Sequence, residues 1–371
     1  GRLAETRRVG QSDLHVPVLS LGCSPLGEIM GAVSPEEALK AVRAAHACGF
    51  RHFDTAPWYG NGMSEARLGM ALNAVAKGGG AFTLSTKVGR FLDPAPRRQG
   101  PLDGPWPAGV GCDLQVRYDY SYGAVLQQHR ESCLRLGLPR VDALAIHDLD
   151  AMFLSPASVQ EHLEQLRSGG LRALQELKDQ GAIKAVGIGC NPYAFGSREV
   201  CTAVAEMGGL DYVILAGPYN LLNQEALDDL LPLCQKKGIS VFAGAPFASG
   251  ILAVGTKSGQ RPTYMYQPAS EAMLAKCASI EEVCGRHGVP LAAAALQFPL
   301  FHPCVACVLS GVKSEREVLL ARESINAPIP RQFWRELRER GLIRPDAPIA
   351  GDDAARLPAR APAGWPARPR L

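Results

Sequence analysis

The chain has 371 residues, 47% hydrophobic and 20% charged, enough to bury a large core, and within the length range of one α/β barrel, about 250 to 400 residues. Its formal charge of +3, with bases and acids interleaved, argues against a nucleic-acid partner; without an apolar run of about 20 residues, no membrane span is expected. Eleven cysteines, most in apolar or helical settings (Cys48, Cys133, Cys201, Cys234), read as free thiols of a reducing, cytoplasmic compartment. The chain starts at Gly1 rather than Met, so a targeting peptide would be out of sight and an organellar location stays open.

Residues 16–22 (VPVLSLG) read as a first strand. Residues 34–49 then form a helix with a serine N-cap, proline at its first position, glutamate in the first turn and a closing glycine. RHFD (51–54) is a strand and 63–75 an amphipathic helix; 81–87 is the third strand, 122–137 a helix and 141–147 the fourth strand. Helix-then-strand pairs follow at 162–181 and 183–189, 198–209 and 210–216, 224–238 and 239–245, and 270–288 and 304–311. Eight short apolar strands, each followed by a helix, imply parallel pairing buried on both faces. The expected fold is a (β/α)8 TIM barrel with its site on the loops at the strands' C-terminal ends. A doubly wound sheet is disfavoured, because no G-x-G-x-x-G turn follows the first strand. Residues 91–118, rich in proline, form a long insertion after strand 3, expected to act as a lid or substrate loop. The barrel domain spans 1–343, and the Pro/Ala/Arg-rich tail 344–371 is expected to be disordered. RQFWRELRERG (331–341) reads as a terminal helix with Phe333, Trp334 and Leu337 inward.

Titratable groups fall where such a barrel does chemistry. Asp54 ends the second strand, Tyr59 lies in the loop beyond, Lys87 ends the third strand and His147 the fourth. Singly, each has an ordinary role: a loop cap, a surface aromatic, a strand end, a core histidine. Together, on one rim, they form a set suited to moving a proton. An ammonium favours a phenolate, a carboxylate holds the ammonium, and a histidine can hydrogen-bond the reacting oxygen. Cys304 and Cys307 make a C-x-x-C near His302, but no second pair stands at metal spacing, so apolar packing is expected and no metal.

FDTAPWYGNGMSEARLG (53–69), STKVGR (85–90), VDALAIHD (141–148) and GIGCNPY (187–193) resemble the aldo-keto reductase superfamily, over roughly residues 9–325. More narrowly, residues 118–150 and LAAAALQFPL (291–300) resemble the branch of aldose 1-dehydrogenases of the L-fucose, D-threo-aldose and L-galactose type, and of pyridoxal 4-dehydrogenase. The resemblance implies Tyr59 as proton donor or acceptor, Asp54 and Lys87 as its tuning pair, and His147 as the group orienting substrate. It implies NAD, with NADP possible, bound by Gly22, Ser24, Asn191, Pro246, Phe247, Ser310, Gly311, Lys313 and Glu317. Three cofactor positions depart from the family pattern. Cys190 replaces a serine beside Asn191, Ala216 and Gly217 stand where a glutamine ends the sixth strand, and Gly244 replaces an aromatic that stacks on nicotinamide. Trp58, Asp148 and Tyr120 are the expected substrate contacts: an apolar face for a sugar ring, a carboxylate for its hydroxyls, and a phenol reaching over the mouth. Glu317 stands where NADP-preferring relatives carry an arginine, and so favours NAD. The expected activity is oxidation of the C1 hydroxyl of a free aldose to the lactone, by a monomer or weak homo-oligomer acting on small molecules. The alternatives are a pyridoxal 4-dehydrogenase or general aldehyde reductase and, in another class, a nucleotide-binding regulatory subunit.

Overall fold

The computed structural model describes residues 2–29, 31–94, 112, 114–191, 193, 196–257, 259, 262–265 and 267–352. Its centre is a closed barrel of eight parallel strands: Leu19–Gly22, His52–Asp54, Thr83–Val88, Ala143–Ile146, Ala185–Cys190, Tyr212–Ala216, Ser240–Gly244 and Val305–Gly311. Each pairs with its successor, and the eighth returns to the first through Val308↔Leu19 and Gly311↔Gly22. This is the (β/α)8 barrel that the alternating pattern predicts. Thr83–Val88 and Ala185–Cys190 are buried along their whole length, because helices cover one side and side chains fill the other. The outer helices start where local chemistry dictates. Ser34 accepts from the Glu37 N–H while the Glu37 carboxylate accepts from the Ser34 N–H, with Pro35 opening the helix. Phe333, Trp334 and Leu337 are buried, as the terminal-helix pattern predicts.

The structure differs from the sequence reading at the barrel's edges. Residues 16–22 are not one strand: His15–Pro17 pairs antiparallel with Thr6–Arg8, and the barrel strand starts only at Leu19. The hairpin closes the floor, where Val9, Leu14 and Val16 cluster with Ala143, Ala185, Tyr212 and Phe242. The helix expected at 162–181 starts at Pro156 and contains a wide π turn over Leu166–Gly170. The insertion after the third strand begins and ends as an antiparallel ladder, Arg90–Pro94 against Leu114–Tyr118; residues 95–111 lie outside the described residues, and so does most of the expected lid. The expected tail begins too early. Residues 344–352 fold back, burying Ala347 and Ile349, while Arg344 pairs with Asp228 at 2.6 Å and Arg338 with Asp352 at 2.5 Å. Composition averaged over the tail hides those two spaced apolar anchors. Residues 353–371 lie outside the described residues.

Candidate active site

Asp54, Lys87 and His147 reach the rim on neighbouring strands because the register sets Asp54 beside Ser85 and Lys87 beside Ala145. Asp54 is doubly satisfied: Oδ2 accepts from Lys87 Nζ at 2.6 Å and Oδ1 from Ser85 Oγ at 2.6 Å. Lys87 also donates to the Thr55 carbonyl at 2.8 Å. Its ammonium lies 4.8 Å from the centre of the Tyr59 ring. Burial works to strip the Lys87 proton, but Asp54 and Tyr59 outweigh it and hold the ammonium above its ordinary range. Tyr59 shows the opposite balance: burial lifts its phenol well above the usual value, and Lys87 only partly offsets that. The expected phenolate-favouring environment is therefore incomplete in the protein alone.

The His147 ring stands perpendicular to Tyr59, with centres 5.8 Å apart. Burial, then Arg90 and Lys87, pushes its pKa far below the ordinary range, so the imidazole is neutral. Its Nε2 lies 3.2 Å from Asp148 Oδ2, and Nδ1 has no hydrogen-bond partner among the described residues. Trp58 sits 6.0 Å from the His147 ring and 5.2 Å from Phe153, ring centre to ring centre.

Two expected substrate contacts are placed differently. Tyr120 is fully buried and donates to the His147 carbonyl at 2.6 Å. It fits there because Gly89, at φ +110°, has no Cβ; one would lie 1.9 Å from the Tyr120 ring. Tyr120 thus supports the rim from beneath. Asp148 is taken by Arg90, whose Nη2 donates to Oδ2 at 2.8 Å. The sequence reading missed Arg90 as well as Phe153 and Asp150. A basic residue stands three positions beyond Lys87, but nothing local to the sequence marks its partners.

A cavity of about 680 Å³ opens beside this cluster, bounded by Asp54 and Tyr59 at one end and by Lys313, Arg316 and Glu317 at the other. Gly22, Ser24, Pro246, Phe247, Ser310 and Gly311 also border it. Paired neighbours Ala216 and Gly244 form part of its wall, and a Cβ on Gly244 would meet Ala216 and Ile214 at an ordinary 3.5 Å. The missing aromatic therefore leaves real room. The residues fit an extended dinucleotide: Ser310 carries a buried, unpartnered hydroxyl at the wall, and the helix from Glu315 begins beside Lys313. Glu317 is fixed at that helix start, its carboxylate accepting from the Lys313 N–H at 2.8 Å. Asn191 stands apart from this cavity. It lines a smaller adjoining one and donates through Nδ2 to Asp150 at 2.8 Å. Burial and then Asp148 push the Asp150 carboxyl up to about 6.

The aldo/keto reductase family model matches residues 18–340, and the chain belongs to that family: it is an NAD(P)-dependent oxidoreductase. The chain is 35% identical over 348 residues to a pyridoxal 4-dehydrogenase of Microbacterium luteolum, covering 92% of this chain and 99% of that protein. It is 34% identical over 331 residues to a D-threo-aldose 1-dehydrogenase of a Pseudomonas species, with coverages of 89% and 95%. Among solved structures, an aldo-keto reductase from Bacillus halodurans in its holo form superposes with a TM-score of 0.69 at 21% identity, covering 94% of this chain and 99% of that one; at that identity the likeness speaks to the fold.

Proposed function

We propose that the protein oxidises the C1 hydroxyl of a free aldose to the lactone, with NAD as the preferred cofactor. The observation that carries the substrate class is charge pairing at the reactive end. Lys87 is matched by Asp54 and Arg90 by Asp148, so among the described residues neither cation at this end is left without a carboxylate for a charged substrate to pair with. A neutral, oxygen-rich molecule suits such a site. When bound, the nicotinamide supplies the hydride acceptor. Tyr59 takes the hydroxyl proton, Lys87, held in place by Asp54, stabilises the phenolate that must form first, and His147 hydrogen-bonds the substrate beside it. Trp58 covers the ring's apolar face. Because burial raises the Tyr59 phenol, oxidation needs its deprotonated form and should speed up as pH rises into the alkaline range; reduction needs the protonated form and should not.

A second reading, pyridoxal as substrate, is favoured by the 35% identity over 92% of the chain to a pyridoxal 4-dehydrogenase and by the Trp58–Phe153 pair. Pyridoxal also closes to a cyclic hemiacetal, so the same bond would be oxidised. NAD is preferred over NADP because the fixed Glu317 carboxylate would repel a 2′-phosphate while accepting from ribose hydroxyls. One panel tests these readings: initial rates with NAD and NADP against L-fucose, L-galactose, D-arabinose, pyridoxal and simple aldehydes, followed by reduced-cofactor absorbance. A sugar should give the highest kcat/KM; a dominant pyridoxal rate would move the assignment to the second reading, and tenfold better use of NADP would overturn the cofactor preference.

A further inference from the structure

Much of the barrel interior is apolar: Ala143, Ala145, Tyr212, Ile214, Phe242 and Leu309 cluster there. Beneath Asp54 a polar column stands among them. The register pairs His52 with Thr83 and Asp54 with Ser85, and alternation along each strand sets all four on one face. None of the four is more than 5% exposed. Ser85 Oγ donates to Asp54 Oδ1 at 2.6 Å. His52 bonds Ser85 Oγ through Nε2 at 3.3 Å and Thr83 Oγ1 through Nδ1 at 2.9 Å. Thr83 Oγ1 also reaches the Arg51 carbonyl, at 3.2 Å.

Burial, then Lys87, lowers the His52 pKa to about 3, so the ring carries one N–H. With one proton on each hydroxyl, three protons serve these four contacts, and one contact must lapse. The Arg51 carbonyl already accepts from the Thr83 N–H at 2.7 Å, so losing the Thr83 hydroxyl strands nothing. Losing any other contact would leave a buried ring nitrogen or a buried carboxylate oxygen bare, which is the costlier loss. Thr83 therefore donates to Nδ1, Nε2–H to Ser85, and Ser85 to Asp54. Every proton in the column points toward the carboxylate. The far end is a backbone carbonyl, which passes no proton on, so the column fixes Asp54 rather than conducting.

We propose that Ser85 and His52 are positioning residues for Asp54: Ser85 occupies Oδ1, leaving Oδ2 for Lys87, and His52 keeps the Ser85 proton turned to the carboxylate. Lys87 then divides its three N–H groups among Oδ2, the Thr55 carbonyl and the side of Tyr59. Without the Ser85 hydroxyl, Oδ1 would turn onto the ammonium, and the Tyr59 phenolate would lose part of its support. The titratable groups facing Asp54 are Lys87, Tyr59, Cys23, Tyr212 and Cys307; burial lifts the phenols and thiols, leaving Lys87 as the charged one. Tyr59 also faces Asp148 and His147, which the variants below leave in place. The kinetic consequence rests on Tyr59 as the proton acceptor; the direction of the column does not.

In the full-length protein labelled with 15N-histidine, long-range proton–nitrogen spectra should show His52 protonated on Nε2 alone between about pH 5 and 9. The signal is assigned by its loss in His52→Gln. The alkaline ionisation that governs oxidation with NAD should rise by about one pH unit in Ser85→Ala, and by less in His52→Leu. His52→Gln, whose amide can still donate to Ser85, should keep the wild-type profile. A brace that served the fold alone would lower the thermal midpoint and leave the profile in place. A wild-type proton on Nδ1 overturns the proposal, and so does an unmoved profile in either Ser85→Ala or His52→Leu. Should Ser85→Ala not fold, the tautomer and the two His52 variants decide. Activity retained in Tyr59→Phe would sink the reading of Tyr59, and the tautomer would then decide the column by itself.

Discussion

Two buried arginines mark the two ends of the barrel. At the floor, Arg7 spends its donors: Nη1 on the Leu300 and Val305 carbonyls at 3.2 and 2.5 Å, Nε and Nη2 on Glu5 at 3.3 and 3.1 Å. It thereby rivets the N-terminal hairpin to the eighth strand. At the mouth, Arg90 has one ion pair, and its Nε and Nη1 lack hydrogen-bond partners among the described residues. A buried donor without a partner costs about 1–3 kcal/mol, a loss that stability alone does not reward. The guanidinium at the floor is tied down by backbone carbonyls; the one at the mouth sits between aromatic faces beside the candidate site.

That contrast can be broken at either end. The largest effect is expected at the mouth: Tyr59→Phe should lower turnover by about 10²- to 10⁴-fold with cofactor affinity and thermal midpoint nearly unchanged. Stopped-flow rates and dinucleotide titration check it, and activity within a few-fold of wild type would remove Tyr59 from the proton's path. At the floor, Arg7→Met should lower stability by about 2–4 kcal/mol, since charged hydrogen bonds to buried carbonyls are lost. Glu5 is partly exposed, so the ion pair adds little of this. A urea melt reads the loss, and kcat per folded molecule should hold; a fall in kcat without a fall in stability would erase the division between the ends. The smallest effect concerns binding alone. Glu317→Arg should shift the ratio of kcat/KM values toward NADP by about tenfold, or roughly 1.4 kcal/mol, leaving kcat with saturating NAD unchanged. An unmoved ratio would place the 2′-position elsewhere.

Much of this was legible in the primary structure. Strand-end positions for Asp54, Lys87 and His147 followed from period and length, since the barrel turns local pattern directly into geometry. Arg90 was not legible, because its meaning lies in partners 32, 58 and 63 positions away: Trp58, Asp148 and Phe153. Nor was the inward turn of Tyr120, which depends on the missing Cβ at Gly89. The floor hairpin's second strand was absorbed into the first barrel strand because only Val18 separates them, and it breaks the strand without breaking the apolar run. Residues 344–352 were lost to averaging, since two well-spaced apolar side chains suffice to dock a segment whose composition reads as solvent-loving.

The ladder that opens and closes the insertion has an evolutionary corollary. Arg90↔Tyr118 through Pro94↔Leu114 clamps the two ends of the connection side by side, so the connection leaves and rejoins the barrel through a closed stem. Closing a longer connection on such a stem costs about 0.6 kcal/mol per doubling of length, little beside the stability of a whole domain. Selection can therefore lengthen, shorten or exchange everything between Pro94 and Leu114 while Arg90 stays anchored beneath it. The stem is a graft junction at which descendants of this chain can exchange the connection without relearning how to fold.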